Sequence, residues 1–117
     1  MNKTFDHEEA ICPACGSRYL HQFRASIFER REDDERGLHI EVSSCDQPET
    51  RGKPSVKIDD DMTRCPSSRR HGTRIEFYCE ECGCTSEMTI SQHKGATLVE
   101  HSLTSNQTTS LQQACHP

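Results

Sequence analysis

The chain has few of the residues that build a large hydrophobic core. Among its 117 residues there is no Trp and there are only two Tyr. Leu, Ile, Val and Phe together number 18, about 15% of the chain, which lies below the roughly 20% where disorder becomes a live alternative. Such a sequence buries too little apolar surface to offset the entropy cost of ordering all its residues. We therefore expect one domain whose fold depends on something besides a core.

Long apolar runs and an excess of positive charge are also missing. No run approaches the roughly 18 residues of a membrane-spanning helix, and residues 1–10 lack the basic and apolar regions of a signal peptide. We therefore expect a cytoplasmic protein without a membrane partner. The formal net charge of −5 provides no overall positive field for nucleic acid, so binding of that kind requires a local basic patch.

Cysteine is the residue that the chain has in quantity, with eight in all. Four of them form two Cys-x-x-Cys-Gly motifs, Cys12–Gly16 and Cys79–Gly83. This spacing lets a tight turn direct two thiolates at one point, and Gly accepts the positive φ at the end of the turn. Four sulfurs in a tetrahedral array suit a closed structural Zn²⁺ site. The predicted zinc ligands are Cys12, Cys15, Cys79 and Cys82.

Bound Zn²⁺ would also supply the stability that the composition lacks. A structural zinc ion contributes on the order of 10 kcal/mol of apparent binding energy, which appears as folding energy. We therefore expect the metal-free chain to be unfolded. Iron in a rubredoxin-type site, a redox dithiol and a disulfide framework are the alternatives for the same cysteines, and a reducing cytosol disfavours the last of these.

Four further cysteines lie outside the two motifs. Cys84 is the alternative to Cys82 as a ligand, although the intervening Gly favours Cys79 and Cys82 as the pair in the turn. The other three lie in irregular segments without pair spacing, and a second metal site built from them with His71 or His93 is a less favoured alternative. Those three are Cys45, Cys65 and Cys115.

Alternation of apolar and polar residues predicts an all-β fold. Residues 19–28 alternate with a period of two, and the charged run 29–37 is expected to connect them to an antiparallel partner at 38–43. Further strands are expected near 56–58, 74–79, 87–90 and 98–99, with the turn Gln92–Gly95 before the last. The half of the first strand expected to be buried is Tyr19, His21, Phe23, Ala25 and Ile27.

These patterns predict a small antiparallel sheet of about four to five strands with a long irregular insert. Residues 11–101 are expected to form the domain, and residues 44–72, rich in turn-forming residues, are the insert. Residues 1–10 are expected to be a flexible N-terminus. Residues 102–117 are rich in Ser, Thr, Gln and Asn and are expected to be a disordered tail.

The repeated arrangement of strand, Cys-x-x-Cys-Gly knuckle and strand resembles the zinc ribbon family of transcription factors, polymerase subunits and small bacterial and phage proteins. Residues 73–83 look like the C-terminal half of a transcription-elongation-factor ribbon, and the likeness covers residues 12–28 and 73–99. The resemblance implies that the four knuckle cysteines bind zinc. Such ribbons also carry an acidic pair used at the polymerase active site, but the run Asp59–Asp61 here is interpreted as a solvated loop. The insert between the knuckles is longer than in most ribbons.

Two functions are compatible with these features, and a third, that of an enzyme, is disfavoured. The preferred one is a non-enzymatic zinc-binding module, such as a regulator, inhibitor or adaptor, that binds a protein partner through sheet edges and the long loop. The alternative is a nucleic-acid or transcription-complex binding ribbon, which would use a basic group near the second knuckle. A closed four-cysteine site activates no water, so neither an enzyme nor a small-molecule substrate is expected. The basic group is Arg64, Arg69, Arg70, His71 and Arg74.

Overall fold

A computed structural model describes residues 8–43 and 54–105. The regular structure in these residues is entirely β, and they contain no helix long and apolar enough to cross a membrane. The all-β prediction is confirmed, with one antiparallel sheet of six strands where about four to five were expected. The strands are β1 Leu20–Glu29, β2 Leu38–Ser43, β3 Ser55–Asp59, β4 Gly72–Cys79, β5 Thr85–His93 and β6 Ala96–Ser105.

The strand order is β3-β2-β1-β4-β5-β6, and every neighbouring pair is antiparallel. Two three-stranded meanders, β1 to β3 and β4 to β6, therefore join along β1 and β4. Their pairing places Leu20, at the start of β1, opposite Cys79, at the end of β4. Because the pair is antiparallel, the two strand ends next to the cysteine motifs meet at the same end of the sheet.

The hairpin between β5 and β6 confirms the turn predicted over residues 92–95. Lys94 has φ 49° and Gly95 has φ 84°. Two successive positive φ angles are the signature of a type I′ turn, whose twist matches that of the flanking strands. The turn therefore lets β5 and β6 pair directly, and His93 opposite Ala96 is the first pair next to the turn.

A bulge interrupts β1 where it pairs with β4. The register shifts between Gln22 and Arg24, so Phe23 is the extra residue, and its side chain is buried. A bulge moves the alternation by one position. His21 consequently stacks on Tyr78, with ring centroids 4.9 Å apart, on the face opposite to the one that carries Ile27. The single buried set predicted for residues 19–27 is thus divided between the two faces.

One face of the sheet carries two apolar rows that cross all six strands. Residues paired across antiparallel strands share a face, so the register assigns each row. Ten of the twelve side chains are Ile, Val, Met or Ala, and none is Asp, Glu, Lys or Arg. We call these two rows the apolar face. The first is Val56, Val42, Ala25, Ile75, Met88 and His101, and the second is Ile58, Ile40, Ile27, Thr73, Ile90 and Val99.

The opposite face, which we call the polar face, is the side that the chain covers. Residues 60–71 pack over it, with Met62 only 8% exposed. Ser67 donates a hydrogen bond from its hydroxyl to the Gln92 carbonyl at 2.8 Å. Pro66 lies so close to Gly72 that a Cβ there would approach its ring to 2.7 Å. The row between the two apolar rows lies on this face: Lys57, Glu41, Ser26, Arg74, Thr89 and Glu100.

The prediction of which side of β1 is buried is therefore confirmed for Phe23, which is 3% exposed, and wrong for Ile27. Ile27 is 45% exposed, whereas Ser26 is 1% and Phe28 0% exposed. Alternation correctly separates Ile27 from Phe28, but it does not say which face the remaining chain will cover. Residues 60–71 cover the polar face, where Phe28 also stacks on His39 with ring centroids 4.3 Å apart.

The last strand is longer than its hydropathy suggests. β6 ends at Ser105, so it continues past residue 101, the predicted end of the domain, into the segment expected to be disordered. Its polar residues pair with β5, as Ser102 does with Glu87, and backbone pairing requires no apolar side chain. Within the predicted insert, β3 is an edge strand, as expected for residues 56–58. Residues 1–7, 44–53 and 106–117 lie outside the described residues.

Candidate metal centre

The first cysteine motif forms a compact turn before β1. The backbone N–H of Gly16 donates to the Cys12 carbonyl at 2.9 Å, and the N–H of Cys12 donates to the Ser17 carbonyl at 2.8 Å. Gly16 has φ 79°, the left-handed conformation predicted for it. The N–H of Ala14 points at the Cys12 sulfur from 3.4 Å. The turn therefore satisfies the hydrogen-bonding groups of its own backbone and also directs one N–H group at the cysteine sulfur.

The second motif repeats the same turn between β4 and β5. The N–H of Gly83 donates to the Cys79 carbonyl at 2.9 Å, and the N–H of Cys79 donates to the Cys84 carbonyl at 2.9 Å. Gly83 has φ 76°. The N–H of Cys82 lies 3.5 Å from the Cys79 sulfur. Equal sequence spacing has thus produced two turns with equivalent backbone hydrogen bonds.

The pairing of β1 with β4 brings the two turns together. Just beyond the strands, the N–H of Glu80 donates to the Tyr19 carbonyl at 3.0 Å, which extends the pairing into the turns. The hydroxyl of Ser17 donates to the carboxylate of Glu81 at 3.1 Å. Contacts between the first and second motifs therefore set the distance between their cysteines.

The four predicted ligands converge on one point. Their sulfur atoms all lie within 4.8 Å of one another, so this cluster can hold a metal ion. The Cys12 and Cys82 sulfurs are 3.6 Å apart, as are those of Cys15 and Cys79. A tetrahedral ZnS₄ centre with Zn–S bonds of about 2.3 Å has edges of about 3.8 Å, so the spacing fits such a centre. Cys12 and Cys79 are buried, and Cys15 is exposed.

Burial, backbone N–H groups and neighbouring thiols together move the pKa values of Cys79 and Cys82 in opposite directions. Burial disfavours the Cys79 thiolate, but the N–H groups of Cys82 and Glu81 outweigh it and lower the pKa of Cys79 to about 7. At Cys82 the N–H of Cys84 favours the thiolate, yet burial and the neighbouring thiols prevail and raise the pKa. Cys79 therefore ionises before Cys82, and a bound cation would displace the protons that remain on the thiols.

The described cysteines outside the cluster have other surroundings. Cys84 is buried beside the second turn, but the group that can hold a metal contains Cys82 in its place. The Cys65 thiol donates to the Arg70 carbonyl at 3.5 Å. Within residues 8–43 and 54–105 no second group of three His, Cys, Asp or Glu ligands occurs. The two predicted spare cysteines that fall outside these residues are Cys45 and Cys115.

Part of the predicted basic group packs against the connection between β1 and β2. Arg69 donates to Asp33 at 2.6 Å, and Arg70 donates to Glu32 at 3.3 Å. His71 lies 3.5 Å from the carboxylate of the last residue of β1. The hydrogen bond from Arg69 is the main reason that the pKa of Asp33 is lowered. Arg69 and Arg70 are thus partly neutralised by carboxylates of the same chain, whereas the Nδ1 atom of His71 accepts a hydrogen bond from the Arg30 N–H at 3.2 Å.

The other two members of the basic group lie on the polar face of the sheet. Arg74 forms an ion pair with Glu87 in which both side chains are less than a fifth exposed. Arg64 lies 3.8 Å from Glu76. Each of the five predicted phosphate-binding residues therefore has a carboxylate nearby, and binding of nucleic acid by them stays a prediction.

The surface that the sequence analysis missed is the apolar face. Its signal was present, because apolar residues alternate with polar ones in β2, in β3 and in β4. Such alternation is usually interpreted as one buried and one solvated face, with the apolar side buried. In this sheet the apolar side is open to solvent.

Comparison of the chain with protein-family models, with curated proteins and with solved structures found no match. Function is therefore inferred from the cysteine cluster and from the surfaces of the sheet.

Proposed function

We propose that the protein is a non-enzymatic zinc-binding interaction module of the zinc ribbon type, with a regulatory, inhibitory or adaptor role toward a protein partner. The observation that carries this proposal is the convergence of the four knuckle sulfurs to within 4.8 Å of one another. Four sulfurs complete a tetrahedral shell, which leaves no position for water or substrate. The ion would then act structurally, by joining the two meanders where β1 begins and β4 ends.

Zinc is the proposed ion because of the ligand set. Four thiolates in a tetrahedral arrangement suit Zn²⁺, which has no redox chemistry and no geometric preference of its own. Iron takes the same four ligands, and it would give the purified protein an intense visible absorption. A colourless protein with one zinc ion per chain is the expected result.

A protein partner is favoured over nucleic acid by the charges of the described surface. The basic residues that would contact phosphates lie beside acidic side chains, as Arg69 does beside Asp33 at 2.6 Å. The edge strands β3 and β6 can instead pair with an extended segment of another protein. Counterion release from phosphates, the main driving force of nucleic-acid binding, needs unpaired positive charge.

Native mass spectrometry of the full chain from its expressing cell tests the metal and the partner together. We expect one zinc ion per chain in the wild type and in Cys65→Ser, and none in Cys12→Ser. We also expect a complex with a different protein that persists after nuclease treatment. Zinc-free wild-type protein would refute the metal centre. Tight binding of nucleic acid that weakens with added salt would replace the proposed partner with the alternative one.

A further inference from the structure

The apolar face is exposed across the whole width of the sheet. On the edge strand β3, Val56 is 64% and Ile58 66% exposed. Ile27 on the central strand β1 is 45% exposed, and Val99 on the other edge strand is 52% exposed. Soluble monomers rarely expose a contiguous apolar patch larger than a few hundred Å², and larger patches mark interfaces.

We propose that the apolar face is the interface between two copies of this chain, packed sheet on sheet around a two-fold axis. This inference rests on the proposed function, because the metal centre is what would join the two meanders that share the face. Two packed sheets lie about 10 Å apart with their strands about 30° from alignment. The dimer would bury both apolar faces and leave the polar faces, each covered by residues 60–71, on the outside.

The side of the sheet that carries the apolar face is large enough for a stable dimer. Six strands at a spacing of about 4.8 Å span about 24 Å, and strands of about eight residues are about 27 Å long, of which the two apolar rows occupy about half. Packed over this whole side, each copy contributes on the order of 600 Å², and two copies remove on the order of 1,200 Å² from water. That total reaches the lower limit for specific, stable protein interfaces.

The residues outside the described ranges offer few apolar side chains to match the face. Residues 1–7, 44–53 and 106–117 lie outside the described residues, and they contain three large apolar side chains between them. The two rows of the face present ten apolar side chains. Those three side chains are Met1, Phe5 and Leu111.

The absence of charge within the two rows favours a second copy over a different protein. Interfaces between different proteins use complementary charges to select the partner and its orientation. A two-fold interface needs only a patch that is complementary to itself. Burial lowers the pKa of His101, the one titratable residue of the two rows, and so disfavours its charged form. The charges of the neighbouring row, Lys57, Glu41, Arg74 and Glu100, lie on the other face of the sheet.

Two adjacent residues of β6 provide a matched test. Val99 belongs to the apolar face and is 52% exposed, whereas Leu98 points to the polar face and is 46% exposed. Sedimentation velocity of the zinc-loaded full chain over a range of concentrations measures the dissociation constant. We expect the wild type to be a dimer at micromolar concentration. Val99→Glu should weaken the dimer at least about tenfold, since it buries a charge in an apolar interface, whereas Leu98→Glu should leave it unchanged.

The outcomes separate this inference from the proposed function. A wild-type protein that binds zinc, keeps its β circular dichroism and stays monomeric would overturn the dimer and leave the metal centre standing. A dimer weakened equally by Val99→Glu and Leu98→Glu would also overturn it, since another surface would then form the contact. Protein without zinc would refute the proposed function instead. As a further measurement, nuclear Overhauser effects between labelled and unlabelled copies are expected at the methyl groups of Ile27 and Met88.

Discussion

The two cysteine knuckles have the same backbone but different surroundings. In each, the N–H of the glycine donates to the carbonyl of the first cysteine at 2.9 Å, and φ of the glycine is 79° in the first and 76° in the second. The first knuckle precedes β1, and its second cysteine, Cys15, is exposed. The second joins β4 to β5, and Cys84 lies buried next to it. Five residues therefore specify the turn wherever it occurs, and the sheet decides how deeply each turn is buried.

Loss of one ligand from either knuckle is expected to have the largest effect. Cys12→Ser and Cys79→Ser each leave three thiolates and should abolish tight zinc binding, which contributes on the order of 10 kcal/mol to folding. This exceeds or equals the whole stability of most domains. Circular dichroism and amide dispersion should show an unfolded chain for both variants, and Cys65→Ser is the folded control. A variant that stays folded without metal would show that the knuckles do not need the ion.

Lower pH should release the metal, because protons compete with it for the thiolates. The metal-bound centre holds four thiolates and the metal-free centre holds protons, so the affinity for metal falls as the pH falls. Cys79, with a pKa of about 7, takes up its proton around neutral pH, whereas Cys15 and Cys82, with raised pKa values, already hold their protons throughout this range. We expect the affinity to fall at least about tenfold per pH unit between about pH 8 and 6.

Competition with a chromophoric chelator at several pH values measures this dependence. An affinity that did not change with pH would contradict ligation by thiolates. Repeating the titration on Cys82→His sharpens the comparison of the knuckles. Histidine has a lower pKa than cysteine, so the metal affinity of this variant should depend less on pH near neutrality.

Alanine at the two glycines should destabilise the knuckles by a smaller amount. Gly16→Ala and Gly83→Ala each place a Cβ in the left-handed conformation, which costs about 1–2 kcal/mol. A Cβ at Gly16 meets no atom within 4 Å, so Gly16→Ala should cost only the free energy of placing alanine in the left-handed conformation. Gly83 is buried, and its substitution should cost at least as much. Thermal unfolding of the zinc-loaded variants compares them, and a smaller loss at Gly83 than at Gly16 would contradict the comparison.

Exchange of the residue after each glycine should have the smallest effect. Ser17 and Cys84 occupy equivalent positions, and each offers its carbonyl to the first cysteine of its knuckle. Cys84→Ser and Ser17→Cys should both retain one metal ion per chain and change the stability by about 1 kcal/mol or less. Metal analysis by mass spectrometry checks this result. Loss of metal in Cys84→Ser would identify Cys84 as a ligand in place of Cys82.

Several elements were predictable because their signals are local. The alternation of Leu38, Ile40 and Val42 specified β2, and the residues around Gly95 specified the last turn. The length of β6 was not predictable from its polar sequence, since its order comes from backbone hydrogen bonds to β5. The bulge at Phe23 was also missed, because apolar residues on both sides of it imitate one continuous alternation.

The sequence by itself determined the two knuckles, the all-β class and the separation of apolar from polar side chains along each strand. These properties depend on residues within a few positions of one another, through turn geometry and the period of two. Only the tertiary structure decided that β1 pairs with β4, which gathers the four sulfurs at one point. It also decided that residues 60–71 cover the polar face and leave Ile27 in solvent. Both outcomes depend on contacts between residues far apart in the chain. A local sequence pattern does not predict the energies of such contacts.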